Sequence, residues 1–276
     1  MASFGYQARR SFMHRLTGAT KLILVLSFSI SAMITFDTRF LVLAILSSGV
    51  LFSLAKIKIS ELKVILGLIL VFIVINNLAI YLFAPEQGVL IYGTRHELLH
   101  IAGRYAVTKE QLFYQLNVSM KYFAIVPVAL VFFISTEPGE FASSLNTLKV
   151  NYKAAYAVSL SMRYIPDVQR AYREISQAQQ ARGVDISKKA PIRKRLSGVL
   201  MILFPLVFSR MDKIELIANA MELRGFGRLK KRSWYAKKPF TKFDYGMFGL
   251  SLLFIALSAA TLAVNGGRFY NPFGWK

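Results

Sequence analysis

The chain has 276 residues, 55% of them hydrophobic, with a mean hydropathy of +0.45, yet its formal net charge is +21 and its pI about 10.2. So apolar a chain of this length is not an ordinary soluble domain. It has no cysteine, which excludes disulfides, thiol catalysis and thiolate metal sites.

Hydrophobicity and charge are reconciled by position, because apolar residues come in long blocks and basic ones lie between them. The N-terminal Arg9, Arg10 and Arg15 precede no short apolar core with a cleavage site, so no removable signal peptide is predicted. Crossing the hydrocarbon core takes about 20 mostly apolar residues in a helix. Five stretches qualify, 22–36, 40–55, 64–83, 118–135 and 245–264, the first reaching full length only if 17–21 extends it. A sixth run, 199–208, is too short, is bounded by Arg195 and Arg210, and is not counted.

With the N-terminus in the cytoplasm, segments 1–21, 56–63 and 136–244 face inward and hold 28 Lys and Arg against 10 acids. The remaining 7 Lys and Arg and 4 acids go outside. The reverse orientation would export the richest basic segment, so the positive-inside rule favours a cytoplasmic N-terminus and an outer C-terminus. This bias, with attraction to anionic lipid, accounts for the charge, and no nucleic-acid partner is predicted. The expected fold is an all-α integral membrane protein of about five transmembrane helices plus a cytoplasmic domain of three helices. The expected boundaries are 1–135 for the membrane domain, 136–244 for the cytoplasmic domain, and 245–276 for the last span and a short outer tail.

The outer loop 84–117 contains His96-Glu97-Leu98-Leu99-His100, a formal H-E-x-x-H. On a helix the two histidines would share a face and hold zinc, with Glu97 as general base. A third ligand is wanting. Ala106 stands where the longer motif has histidine, His14 is predicted across the membrane, and Glu110 sits at an unfamiliar spacing. A loop of about thirty residues is also too small for a protease domain. A membrane zinc metallopeptidase is thus the alternative reading, and no bound metal is expected.

Segment 136–244 is too long to be a structureless loop. Thr136-Glu137-Pro138 marks a helix start running toward Leu148. A second helix spans about 152–182, with Ala157, Ser161, Tyr164, Val168, Ala171, Ile175, Ala178 and Arg182 on one face and Pro166 as a predicted kink. A third spans about 192–224, with Leu196, Leu200, Leu203, Val207, Met211, Ile214, Ala218 and Met221 on one face and Pro205 as its kink. Both helices end in Ala-x-x-x-Arg-Gly, at Ala178 to Gly183 and at Ala220 to Gly225. Arginine in a last turn suits the helix dipole, and glycine caps are common. The repetition within one segment favours a shared role, since a guanidinium at a capped helix end is a rigid fork of donors for carboxylates or carbonyls.

These blocks resemble the transmembrane T subunits of energy-coupling factor vitamin and metal importers, the EcfT/CbiQ family. The resemblance rests on Ser135-Thr-Glu-Pro-Gly-Glu-Phe141, Arg163-Tyr-Ile-Pro166 leading to Ala178-Gln-Gln-Ala-Arg-Gly183, Ala220-Met-Glu-Leu-Arg-Gly-Phe226, and His14-Arg-Leu16 followed by Lys21. It covers the chain from about His14 through the last span. Leu223 replaces a residue that is often small in the family, and 84–117 carries no matching motif. The resemblance implies a non-catalytic subunit that holds two ABC-type ATPases, which themselves bind ATP and Mg. Arg182 with Ala181 and Gly183, and Arg224 with Glu222 and Gly225, would dock in grooves of those ATPases. The helix face bearing Ala157, Ser161, Tyr164, Val168, Leu203 and Val207 would meet a small substrate-binding S subunit in the membrane. Small residues Ala154, Ala155 and Ser159 would permit close helix approach or simply pack internally.

Other classes fit less well. A secondary transporter would show mid-bilayer charges or an inverted repeat; Asn76 and Asn77 are the most polar interior pair in the predicted spans. No G-x-x-x-x-G-K-[ST] occurs, so ATP hydrolysis is assigned to partners and no cofactor to this chain.

Overall fold

A computed structural model describes residues 11–102, 105–186, 191–229, 234 and 238–273. In chain order it forms α1 (Phe12–Arg15), α2 (Gly18–Ile34), α3 (Thr38–Leu54), a 3-10 turn (Ile59–Leu62), α4 (Lys63–Phe83), α5 (Gln87–Tyr92), strands β1 (Glu97–Ala102) and β2 (Tyr105–Thr108), α6 (Lys109–Ser135), α7 (Pro138–Thr147), α8 (Tyr152–Ala181), α9 (Ile192–Leu223) and α10 (Lys242–Val264). The protein is an all-α membrane protein, with one antiparallel hairpin among the described residues. Helices α4, α6 and α10 are long and apolar enough to cross a membrane, and α2 and α3 are apolar helices of 17 residues each. The chain divides into two units, Met1–Glu140 with Lys237–Lys276, and Phe141–Ala236.

In the first unit α2 lies between α6 and α10, and α3 packs on α6. Leu24, Phe28 and Ala32 of α2, Leu41 and Ala44 of α3, Ala124, Val128 and Val131 of α6, and Phe254 of α10 form the buried core. Phe28 stacks on Phe254 with centroids 4.1 Å apart. Buried Ser27, Ser31, Ser48, Ser251 and Ser258 let these backbones approach closely, as small residues do between membrane helices. Helix α4 leans on α6 at the edge, and Ile73 is its buried residue.

One sequence expectation needs correction. The helix of the fourth span begins at Lys109, ahead of the apolar run at 118–135, so the loop before it ends at β2 and not at 117. Glu110, Gln111 and Asn117 are polar and buried, and they hid this start from a hydropathy reading. The Thr108 hydroxyl accepts from Gln111 N–H and caps the helix. At 27 residues α6 is about 40 Å long, against a hydrocarbon core of about 30 Å, so its polar start extends beyond the apolar layer. Helix α7 starts at Pro138, within the expected Thr136-Glu137-Pro138 signal, and the Thr136 hydroxyl is buried without a hydrogen-bond partner among the described residues.

In the second unit α8 and α9 pack together along Ala171, Ile202 and Leu206. Both run on through their prolines, Pro166 and Pro205. Gly198 admits the chain that follows α8: a Cβ there would stand 3.0 Å from Val184 Cγ1 and Ile186 Cγ2.

Candidate functional site

The ends of α8 and α9 are built alike. Arg182 and Arg224 are the C-cap residues, and Gly183 and Gly225 follow in the left-handed region at φ +87° and +67°. Gly183 N–H donates to Gln180 O (2.9 Å) and Val184 N–H to Gln179 O (3.1 Å). Gly225 N–H donates to Glu222 O (2.8 Å) and Phe226 N–H to Met221 O (2.9 Å). These paired bonds satisfy carbonyls that a helix end otherwise leaves open. Ala181, Arg182, Gly183, Glu222 and Arg224 are exposed and Gly225 is half-buried. Among the described residues neither arginine side chain has a hydrogen bond or ion pair. Two guanidiniums, unpaired among the described residues, therefore stand at two glycine-capped helix ends. Phe226 fixes the second end by packing on Tyr152 and Tyr156, with centroids 5.7 and 4.9 Å away.

Between α8 and α9 runs an open groove of about 560 Å³. Ser161, Tyr164 and Val168, expected from sequence to form a contact face, line it together with Leu160. Ala157, Leu203 and Val207 are exposed and lie outside it. The other wall comes from α9 through Arg210, Lys213, Ile214, Ile217, Ala218, Met221 and Glu222, with Phe226 beyond it. Sequence reasoning did not place Leu160, Arg210, Lys213 or Ile217 on a contact face. Arg210 and Ile217 are seven residues apart, a helical repeat beside the predicted stripe, and that spacing was the available signal.

In the first unit two buried polar nodes tie helix ends together. Lys21 Nζ donates to Ser135 O (2.6 Å) and to Glu140 Oε2 (3.2 Å), with Lys21 and Glu140 side chains 2% and 3% exposed. Lys238 also pairs with Glu140. Asp244, fully buried, accepts from Thr17 N–H (2.9 Å), Thr20 Oγ (2.7 Å) and Thr241 N–H (2.8 Å), pinning the start of α10 to that of α2. Lys21 was part of the predicted motif; Asp244 was not, although Thr241-x-x-Asp244 is a capping-box spacing.

At the opposite end of α2, Lys121 Nζ donates to Met33 O (3.2 Å) and lies 3.1 Å from the centroid of the Phe36 ring. Arg268 Nη2 also donates to Met33 O, and Phe36 N–H donates to Arg268 O (2.7 Å). The tail beyond α10 thus folds over the end of α2, and Asn271 Nδ2 reaches Tyr92 O (3.3 Å). Burial, with the rings of Phe113, Phe269 and Phe273 packed on its own, pushes the Tyr92 hydroxyl up to about 12.

The histidine motif does not form the helical face that the zinc reading requires, because Glu97–Ala102 is a strand. His96 Nδ1 instead meets Glu110 Oε1 at 2.5 Å, and Glu110 also accepts from His96 N–H and Thr94 Oγ. His100 lies 3.9 Å from Glu97 Oε2. Among the described residues no group of three or more His, Cys, Asp or Glu is gathered as a metal site.

An apolar helical bundle in one unit and two long basic helices in the other define a multi-helix membrane protein with a distinct second unit. A family model described as cobalt transport protein, CbiQ, matches residues 9–235, and the chain belongs to that family. It is 27% identical over 266 residues to the energy-coupling factor transporter transmembrane protein EcfT of Exiguobacterium sibiricum, covering 93% of this chain and 96% of the relative. The EcfT protein of Bacillus subtilis is 26% identical over 260 residues, covering 91% and 94%. That of Streptococcus thermophilus is 27% identical over 235 residues, covering 82% and 85%.

Proposed function

We propose that this chain is the transmembrane coupling subunit of an energy-coupling factor importer in the bacterial cell membrane, with a cytoplasmic N-terminus and second unit and an outer C-terminus. Arg182 and Arg224 dock into two partner ATPases, which bind ATP and Mg; this chain is non-catalytic and holds no cofactor of its own. Closure of the ATPase pair moves α8 and α9. Their exposed apolar face, including Ala157, Ser161, Tyr164, Val168, Leu203 and Val207, passes the motion to a substrate-binding subunit for a vitamin or metal ion.

The observation that carries this reading is the pair of matching glycine-capped ends, each presenting a free guanidinium. An exposed arginine that only complemented a helix dipole would contribute about 0.3–1 kcal/mol. A docked one, once reversed in charge, loses a buried pair worth about 3–5 kcal/mol, two to three orders of magnitude in affinity at about 1.4 kcal/mol per tenfold. Arg182→Glu and Arg224→Glu should each give membrane-inserted protein that copurifies less ATPase and supports little uptake, with the double variant worst. Lysine should rescue in part, since an ammonium lacks the planar fork. Full ATPase copurification and full uptake in the double glutamate variant would refute the reading.

A further inference from the structure

The groove between α8 and α9 joins apolar walls to an unsatisfied cation. Leu160, Val168, Ile217 and Met221 make it apolar, and Arg210 and Lys213 stand one turn apart on its α9 side. The Arg210 Nε is buried and has no hydrogen-bond partner among the described residues. A buried guanidinium nitrogen without an acceptor is costly, and a phosphate oxygen is a fitting acceptor for it. At the far end Glu222 would repel an anion. The segment from Arg210 to Glu222 is about 18 Å of helix, and the volume lies within the range of about 300–1,000 Å³ typical of small-molecule sites, room for a phosphate and one acyl chain with the second chain left outside.

We infer that this groove binds one anionic phospholipid, with its phosphate on Arg210 and Lys213 and an acyl chain running along Ile217 toward Met221. Polarity fixes the direction, because cations occupy one end and a carboxylate the other. Asp212 and Glu215 are exposed and do not line the groove, so they leave the cationic end uncompensated there. The inference rests on the proposed coupling role, which brings the second unit against a substrate-binding subunit in the membrane and so beside the inner leaflet, where anionic lipids concentrate. Ser161, Tyr164 and Val168 also belong to the face assigned to the substrate-binding subunit, so the lipid would form part of the surface that subunit meets.

The full-length protein is purified in mild detergent, exchanged exhaustively, and titrated with phosphatidylglycerol or phosphatidylcholine of the same acyl chains. Retained lipid is counted by mass spectrometry. About one phosphatidylglycerol per chain is expected, with little phosphatidylcholine. Arg210→Gln should weaken retention roughly tenfold, and Arg210→Lys should weaken it less. Ala218→Trp, which fills the groove without touching charge, should abolish it, whereas Arg170→Gln, at an exposed position on α8 outside the groove, should not change it. Elution volume confirms that each variant is folded. No retained lipid, equal retention of both lipids, or undiminished retention in folded Ala218→Trp would overturn the inference. Retention is read without ATPases or uptake, so its failure is separate from failure of the coupling role.

Discussion

Gly183 and Gly225 occupy the same position in two different helices, each one residue beyond an arginine C-cap and each donating to the carbonyl three residues back. Their surroundings differ. A Cβ at Gly183 would meet open space, whereas one at Gly225 would stand 3.2 Å from Arg228 Cδ. Alanine at a left-handed position costs about 1–2 kcal/mol. Gly183→Ala should therefore destabilise the protein by about 1 kcal/mol, and Gly225→Ala by somewhat more, as Arg228 must also shift. Thermal unfolding in detergent reads both. Equal stability of wild type and Gly183→Ala would mean that the φ of +87° is not maintained.

A third helix end closes the same way with the wrong residue. Lys149 follows α7 at φ +67°, with Lys149 N–H on Asn146 O and Val150 N–H on Leu145 O, both at 3.0 Å. Lysine gains nothing visible from that conformation. Lys149→Gly should stabilise the chain by about 1 kcal/mol. An unchanged or lowered melting temperature would show that the lysine side chain holds the turn by some contact.

What sequence could show follows from the kind of signal each element emits. The ends of α8 and α9 were legible because an arginine-glycine pair marks a helix stop chemically, and observed ends at Ala181 and Leu223 lie within a residue of the expected ones. The start of α6 was not, since Glu110, Gln111 and Asn117 are buried by tertiary hydrogen bonds that no hydropathy window contains. The hairpin of β1 and β2 was missed for another reason: adjacent Leu98 and Leu99 are both exposed, so β1 shows none of the alternation by which a strand is read, and β2 is only four residues long. In the groove, the stripe from Leu203 to Met221 marked an apolar face but not which residues turn toward α8. That choice is made by the packing of α8 on α9, which the periodicity of one helix does not contain.

Glu140 and Lys21 should prove unequal when removed. Glu140→Leu leaves the buried Lys21 ammonium with only Ser135 O, and stranding a buried charge typically costs about 3–5 kcal/mol. Lys21→Met leaves Glu140 still paired with the half-exposed Lys238, so it should cost less. The double variant Lys21→Met/Glu140→Leu should be more stable than Glu140→Leu alone. A double-mutant cycle by thermal unfolding reads this coupling, and strict additivity would show that the pair does not act as a unit.

His96 is better explained as a partner of Glu110 than as a zinc ligand. In His96→Ala the buried Glu110 would keep Thr94 Oγ and a backbone N–H but lose its closest contact, at a cost of about 1–3 kcal/mol. Stability should fall, while zinc content stays near zero in both proteins and uptake per inserted molecule is unchanged. Elemental analysis of purified protein checks it; stoichiometric zinc that disappears in the variant would restore the metallopeptidase reading.

The last prediction concerns sidedness, where geometry and charge contribute separately. Asp244 pins the start of α10 to the start of α2, so these helices run the same way, and the tail after α10 returns to the end of α2 through Phe36 and Arg268. Asn271 then reaches Tyr92, just before the hairpin. The C-terminal tail and the hairpin therefore share one side of the membrane. Glu140 and Lys238, the first-unit residues that flank 141–236, meet beside Lys21, at the start of α2. Geometry within the first unit thus requires reporter tags at the C-terminus and between β1 and β2 to read alike; the side of a tag between α8 and α9 is argued from charge. Which side is the cytoplasm is set by charge: 141–236 contains eighteen Lys and Arg against six Asp and Glu, and basic segments are retained inside. The expected pattern is outside, outside, inside. A reversed pattern would break the charge argument and leave the fold intact. Tags at the C-terminus and the hairpin on different sides would break the fold, because the contacts of Phe36 with Arg268 and of Asn271 with Tyr92 could not then both form.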